Sequence, residues 1–338
     1  MRAFRLLIVL ASSFFLIAVA TAQTTPKQAL LVLSKTDHTL AIVNPTTLKV
    51  VARVPVGPDP HEVIASADGR MAYVSNYGFG KYHTLARIDL IHHKQLSYVD
   101  LGPLTGPHGL DFVHGEVWFT AEGAKAIGRY NPATGKVDWI MGTGQNRTHM
   151  LHVFPDLQRI VTTNVASGTV TILDHTMVHK GPMPGPPGGD WNETVVKVGN
   201  GSEGFDVTPD GKEMWVANAE DGTVSVIDLK AKKVVATLAA NVPSANRLKF
   251  TLDGKLALVS VLRGPDLVIL DGSTRKVVKR LPIGHGAAGV LMDPNGKRAY
   301  VSCGPDNDVA VIDLKTLTVV GHVYPGGNPD GLAWAVQR

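Results

Sequence analysis

The chain has 338 residues, a formal charge of +4 and a single cysteine. So small a charge, with no run of five basic residues, gives no strong signal for nucleic acid as a partner. One cysteine excludes an intramolecular disulfide, and the lack of C-x-x-C-H excludes covalent c-type haem.

Residues 1–22 read as an export signal. Arg2 and Arg5 supply the positive start, Leu6 to Val19 the apolar stretch, and Ala20-Thr21-Ala22 a small-x-small cleavage site. The expected mature chain begins at Gln23 and resides in the periplasm or outside the cell. No transmembrane span is expected after cleavage, because the apolar stretch is short and lacks a stop-transfer flank.

From Leu30 the chain falls into a degenerate repeat. Its apolar runs are Leu31-Val32-Leu33-Ser34, Tyr73-Val74-Ser75-Asn76, Trp118-Phe119-Thr120-Ala121, Val161-Thr162-Thr163-Asn164, Trp215-Val216-Ala217-Asn218, Leu258-Val259-Ser260-Val261 and Tyr300-Val301-Ser302-Cys303. Their second residues lie 42, 45, 43, 54, 43 and 42 positions apart. A period in the forties with strand-like units predicts a β-propeller. Each unit reads as four short strands, a to d. The clearest runs from Glu203 through the Pro209-Asp210-Gly211-Lys212 turn and Glu213–Asn218 to Thr223–Asp228 and Val234–Leu238. The chain enters at a strand b and leaves at Pro329–Trp334, which matches a strand a. The predicted fold is therefore all-β: a seven-bladed propeller over residues 23–338, of four-stranded antiparallel blades. The C-terminal strand should complete the N-terminal blade.

These runs resemble the YVTN-repeat, YncE-like propellers of secreted bacterial proteins, over essentially the whole mature chain. The resemblance implies the fold and leaves the chemistry open. Similar propellers include lactonase-like enzymes, the haem-binding domain of some nitrite reductases, surface-layer proteins and proposed nucleic-acid binders.

Aligning the seven starts of strand a gives one residue per blade: His61, His108, His149, Glu203, Asn246, Ala288 and Asp330. Pseudo-symmetry should bring them together around the axis. His61, His108 and His149 come from consecutive blades and form the expected metal set, since neutral imidazole ligates divalent transition metals. Glu203, Asn246 and Asp330, with Arg147 and Arg247 beside the ring, are the expected ligand-binding groups. The loop from Asn76 to Thr84 adds Tyr77 and Tyr82. The same side chains would equally line a wet channel and bond to water or backbone.

Two functions follow. One is an exported binding protein that captures a small molecule, a metal ion or a protein partner on the ring face, as a monomer. The other is a metal-dependent periplasmic enzyme, a lyase, lactonase or oxidoreductase, using the imidazoles. No cofactor other than a divalent transition metal is suggested. The 54-residue spacing locates an insertion, His175 to Trp191, read as a long irregular c–d loop that either docks a partner or has no role.

Overall fold

A computed structural model describes residues 24–177 and 188–338. The proposed signal segment and most of the Pro-rich insertion lie outside these residues. Seven antiparallel sheets follow one another along the chain. Strand a of each blade packs against strand a of the next, closing a ring. In order these inner strands are Pro329–Val336, Pro60–Ala65, Pro107–Val113, Thr148–Val153, Ser202–Val207, Ala245–Phe250 and Ala287–Met292.

The ring closes as the termini predict. Pro329–Val336 pairs antiparallel with Gln28–Ser34, with Leu30 opposite Trp334 and Val32 opposite Leu332. The first blade is thus built from both ends of the described chain.

Burial explains why strands b and c read as near-continuous apolar runs. In the fifth blade, Met214 to Asn218 are all buried, because both faces of a blade pack against neighbouring blades. The outer strand, Lys233–Leu238, alternates exposed and half-buried residues, as a one-sided strand should. Trp215 and Phe250, from adjacent blades, fill the gap between them with ring centroids 5.1 Å apart.

The turn residues of the repeat have defined tasks. Gly211 adopts φ +70° in the a–b turn. Asp210 accepts from Thr208 Oγ1 at 2.7 Å and from Lys212 N at 3.1 Å. The Asp ending strand c caps the c–d turn: Asp228 accepts from the backbone of Lys230 and Ala231 at 2.9 and 2.7 Å. Asp271 and Asp313 repeat this bond.

Two blades depart from the pattern. The outer strand of the second blade is broken into Lys94–Gln95 and Val99–Asp100, both paired with Thr84–Asp89. In the fourth blade the expected irregular loop is shorter than predicted. Strand c runs to Thr176, and strand d begins at Asp190, directly opposite it. Trp191, at the end of the segment read as a loop with either a docking role or none, packs 5.8 Å from the Trp139 ring of the third blade. Among the described residues, no helix is long and apolar enough to cross a membrane.

Candidate functional site

All seven ring residues occupy the second position of their inner strand. All seven line one cavity of about 240 Å³, together with Lys35, Tyr77, Phe79, Arg147, Arg247 and Leu262. The third residue of the strand-b motif holds them there. Ser75, Thr120, Thr163, Ser260 and Ser302 each donate a hydroxyl hydrogen bond to the carbonyl of a ring residue in the next blade. The acceptors are His108, His149, Glu203, Ala288 and Asp330, at 2.5–2.9 Å. Ser75, Thr120 and Ser260 also accept from the inner strand of their own blade, at 2.9–3.1 Å. One hydroxyl thereby fixes the spacing of two blades and the height of one ring residue.

Small residues complete the packing. Gly109, Gly204, Gly289 and Gly331 each follow a ring residue. A Cβ there would stand 2.3–2.6 Å from the carbonyl oxygen of the next ring residue: His149, Asn246, Asp330 and His61 respectively. The inner strands can approach this closely only without those side chains.

The third position is Glu62 in the second blade and Arg247 in the sixth, and these two form an ion pair with both side chains largely buried. Arg247 also donates to Asn246 Oδ1 at 3.2 Å. Burial disfavours its charge, but Glu62, Asp330 and Glu203 hold it protonated.

The three imidazoles do not behave alike. His61 Nε2 lies 2.9 Å from Lys35 Nζ, and its Nδ1 is 3.4 Å from Asp59 Oδ1. The ammonium can only donate, so His61 Nε2 is the acceptor nitrogen. Lys35 also reaches Asp330 at 3.2 Å. The His108 ring lies against that of His149, with centroids 3.8 Å apart and planes tilted by 38°. Among the described residues the buried His108 Nδ1 has no hydrogen-bond partner. Burial, then the charges of His149 and His61, hold His108 neutral, well below the ordinary imidazole range.

His149 is clamped between carboxylates. Nδ1 bonds Glu122, and Nε2 lies 3.0 Å from Glu203 Oε2, without hydrogen-bond alignment. Burial opposes its charge, yet Glu203 and Glu122 together raise it to about 9. Burial likewise pushes Glu203 up, but His149, Arg247 and Arg147 bring it down to about 2. Glu122 also accepts from Tyr77 and lies 3.5 Å from Arg147 Nε. Burial and the Glu122 charge push the Tyr77 phenol up.

Glu122 and Lys35 were not among the expected residues. Both occupy the position immediately after strand b, the same slot as Tyr77. Tyr82 is corrected: it does not line the cavity. Its ring packs beneath the loop, where a Cβ on Gly78 would meet it at 2.4 Å. The short turn Gly78–Gly80 instead presents Phe79, which is 81% exposed and 6.2 Å from the His61 ring. Phe79 sits at φ 51°, a costly conformation for a bulky residue. His285, three residues before Ala288, is not among the residues lining the cavity; it pairs with Asp306 at 3.1 Å. Cys303 is fully buried and its thiol is pushed up to about 12, which makes it inert.

Residues 119–297, more than half of the chain, match the family model described as the cytochrome D1 heme domain. Protein NirF of Stutzerimonas stutzeri is 32% identical over 85 residues. That stretch is 25% of this chain, and the chain spans only about a fifth (21%) of that relative's length. Several solved structures share the fold. A Lactobacillus plantarum protein aligns with TM-score 0.73 at 14% identity, over 91% of this chain and 99% of that one. Hydrazine synthase of Kuenenia stuttgartiensis aligns with TM-score 0.68 at 18% identity, over 89% and 99%. Dihydro-heme d1 dehydrogenase NirN, in complex with DHE, aligns with TM-score 0.60 at 15% identity, over 90% and 74%.

Proposed function

We propose, from the premise that the chain belongs to the cytochrome D1 heme domain family, that it binds a heme d1-type tetrapyrrole across the mouth of the axial cavity. The observation that carries this reading is the grouping of Lys35, Arg147 and Arg247 with three imidazoles around one opening. A heme is a flat metal-bearing macrocycle edged by carboxylates. It needs cations at its rim, a nitrogen for its iron and an apolar surface for its face.

The residues fit those needs. Of the two cavity guanidiniums, Arg147 is far the more exposed, 43% against 6% for Arg247; it bonds Glu122 and Tyr77, and a carboxylate at the mouth would compete for it. Lys35 is a second cation at the rim. His61 is the most accessible of the three imidazoles. It could ligate iron once Lys35 released Nε2. Phe79 offers an exposed ring for the macrocycle face. The cavity is below the roughly 300–1,000 Å³ that engulfs a drug-sized ligand, so the macrocycle would lie over the mouth rather than within it. When bound, the iron would supply redox or ligand-binding chemistry; the chain's own part is to hold, orient and shield.

Export to the periplasm belongs to the same reading. A mature N-terminus at Gln23, read by mass spectrometry of the secreted fraction, tests it. Binding is tested by titrating purified protein with hemin and with heme d1 and following the Soret band. A saturable one-to-one complex is expected. Arg147→Ala should weaken it about tenfold or more, the loss of one charge-assisted hydrogen bond. Non-saturating spectra with both hemes would overturn the reading.

A further inference from the structure

We propose that the wall of the cavity below the mouth binds one divalent transition-metal ion through His108, His149 and Glu122, with Glu203 orienting His149. This goes beyond tetrapyrrole binding: that reading counts His108 and His149 among the groups around the opening but gives neither a contact with the macrocycle, and here they take a second ligand together with Glu122.

Each of the three residues brings one ligand atom within 4.8 Å of the other two, and all three are buried. Ligand atoms around a tetrahedral ion at about 2.0–2.2 Å stand roughly 3.3–3.6 Å apart. Side-chain movements of about an ångström would therefore close the group on an ion. Among the described residues the buried His108 Nδ1 has no hydrogen-bond partner, although buried polar atoms ordinarily have one. An ion would supply that partner.

The carboxylates around His149 fit the same picture. A metal-bound imidazole typically gives its other N–H to a carboxylate, which fixes the tautomer and the ring plane. His149 has Glu122 at one nitrogen and Glu203 Oε2 3.0 Å from the other. Glu122 can share the ion while Glu203 takes the N–H. Two nitrogens and one oxygen suit zinc and its neighbours better than calcium or magnesium, and three protein ligands leave a position open.

His61 falls outside this set, although the repeat places it in the same ring. Its Nε2 is taken by Lys35, whose ammonium would repel a cation. The metal set expected from sequence thus changes by one member, with Glu122 replacing His61.

The test uses the full chain after chelator treatment. Zinc(II) is titrated by calorimetry, and cobalt(II) is followed by its visible absorption. One equivalent of zinc should bind. His108→Ala and Glu122→Gln should each weaken binding by about 10–100-fold or more, and Glu203→Gln by about 10–100-fold. His61→Ala should stay within about threefold, far below the loss expected for a ligand. Glu122→Gln is nearly isosteric, so it remains informative if His108→Ala misfolds. No stoichiometric zinc uptake would overturn the proposal. So would unchanged affinity in Glu122→Gln, or a loss in His61→Ala as large as in His108→Ala. Hemin titrations of the same preparations separate the two readings. Zinc uptake without hemin uptake supports the metal site and counts against the tetrapyrrole, and the reverse result does the opposite.

Discussion

Glu62 and Arg247 form an ion pair between the second and sixth blades. Around the ring of inner strands these blades are three steps apart one way and four the other, the widest separation that seven blades allow. The pair therefore spans the axis as a crossbar. Removing Arg247 leaves the Glu62 carboxylate without its match, which costs about 3–5 kcal/mol; removing Glu62 costs less, because Asp330 and Glu203 still act on Arg247, and removing both costs less than the sum. A double-mutant cycle with Glu62→Ala and Arg247→Ala, followed by denaturant melts, should show coupling of that sign. Purely additive losses would mean that the crossbar does not brace the ring.

The metal-free protein should lose stability at alkaline pH through His149. Its folded value is about 9, and its unfolded value about 6.5. The stabilisation is therefore full below about 6.5 and is lost as pH rises through about 9. Glu203 acts at the other end: its contribution is present above about 4.5 and lost as pH falls through about 2. His108 is held neutral, so it adds a penalty as pH drops below about 6.5. Melting temperatures of chelated protein between pH 5 and 10 should fall above neutrality. His149→Gln should flatten that alkaline limb; an unchanged limb would contradict the clamp.

Gly204→Ala should destabilise the protein by about 1–3 kcal/mol, the range for overpacking. Its new Cβ would stand 2.3 Å from the Asn246 carbonyl oxygen, between two inner strands. Gly142→Ala is the matched control. A Cβ there meets nothing within 4 Å, so a change inside about 0.5 kcal/mol is expected. Equal effects at the two sites, in chemical denaturation, would show that blade spacing does not depend on the missing side chain.

Deleting residues 329–338 should abolish the cooperative melt rather than merely lower its midpoint. The deletion removes Asp330 from the ring and bares the edge of Gln28–Ser34. Size-exclusion chromatography should show self-association through that edge. A monomeric truncated protein with an unchanged melt would contradict the closure argument.

The fold and the seven ring residues were legible because a propeller repeats one slot at nearly constant height. His61 and Asp330 could be placed together although 269 positions separate them (330 − 61). Glu122 and Lys35 share a slot with Tyr77, and extending the alignment by one residue past strand b would have found them. The Glu62–Arg247 pair carries no such signal, because the repeat relates each blade to its neighbours and says nothing of contacts across the axis. Tyr82 was misplaced because the turn at Gly78 winds tightly and folds the ring inward. Which imidazole takes a carboxylate and which takes an ammonium depends on those unrepeated neighbours, so three equivalent histidines acquire three different chemistries.

The pairing of Leu30 with Trp334 also governs when the protein can fold. On the ribosome, the first blade exists as three strands until the last stretch of chain emerges. Contacts spanning some three hundred residues are entropically late and slow to form. Until then the nascent chain carries an unpaired strand edge of Gln28–Ser34, rich in Leu and Val, the kind of segment that aggregates. A cell that makes this protein must therefore shelter that edge through the whole of translation.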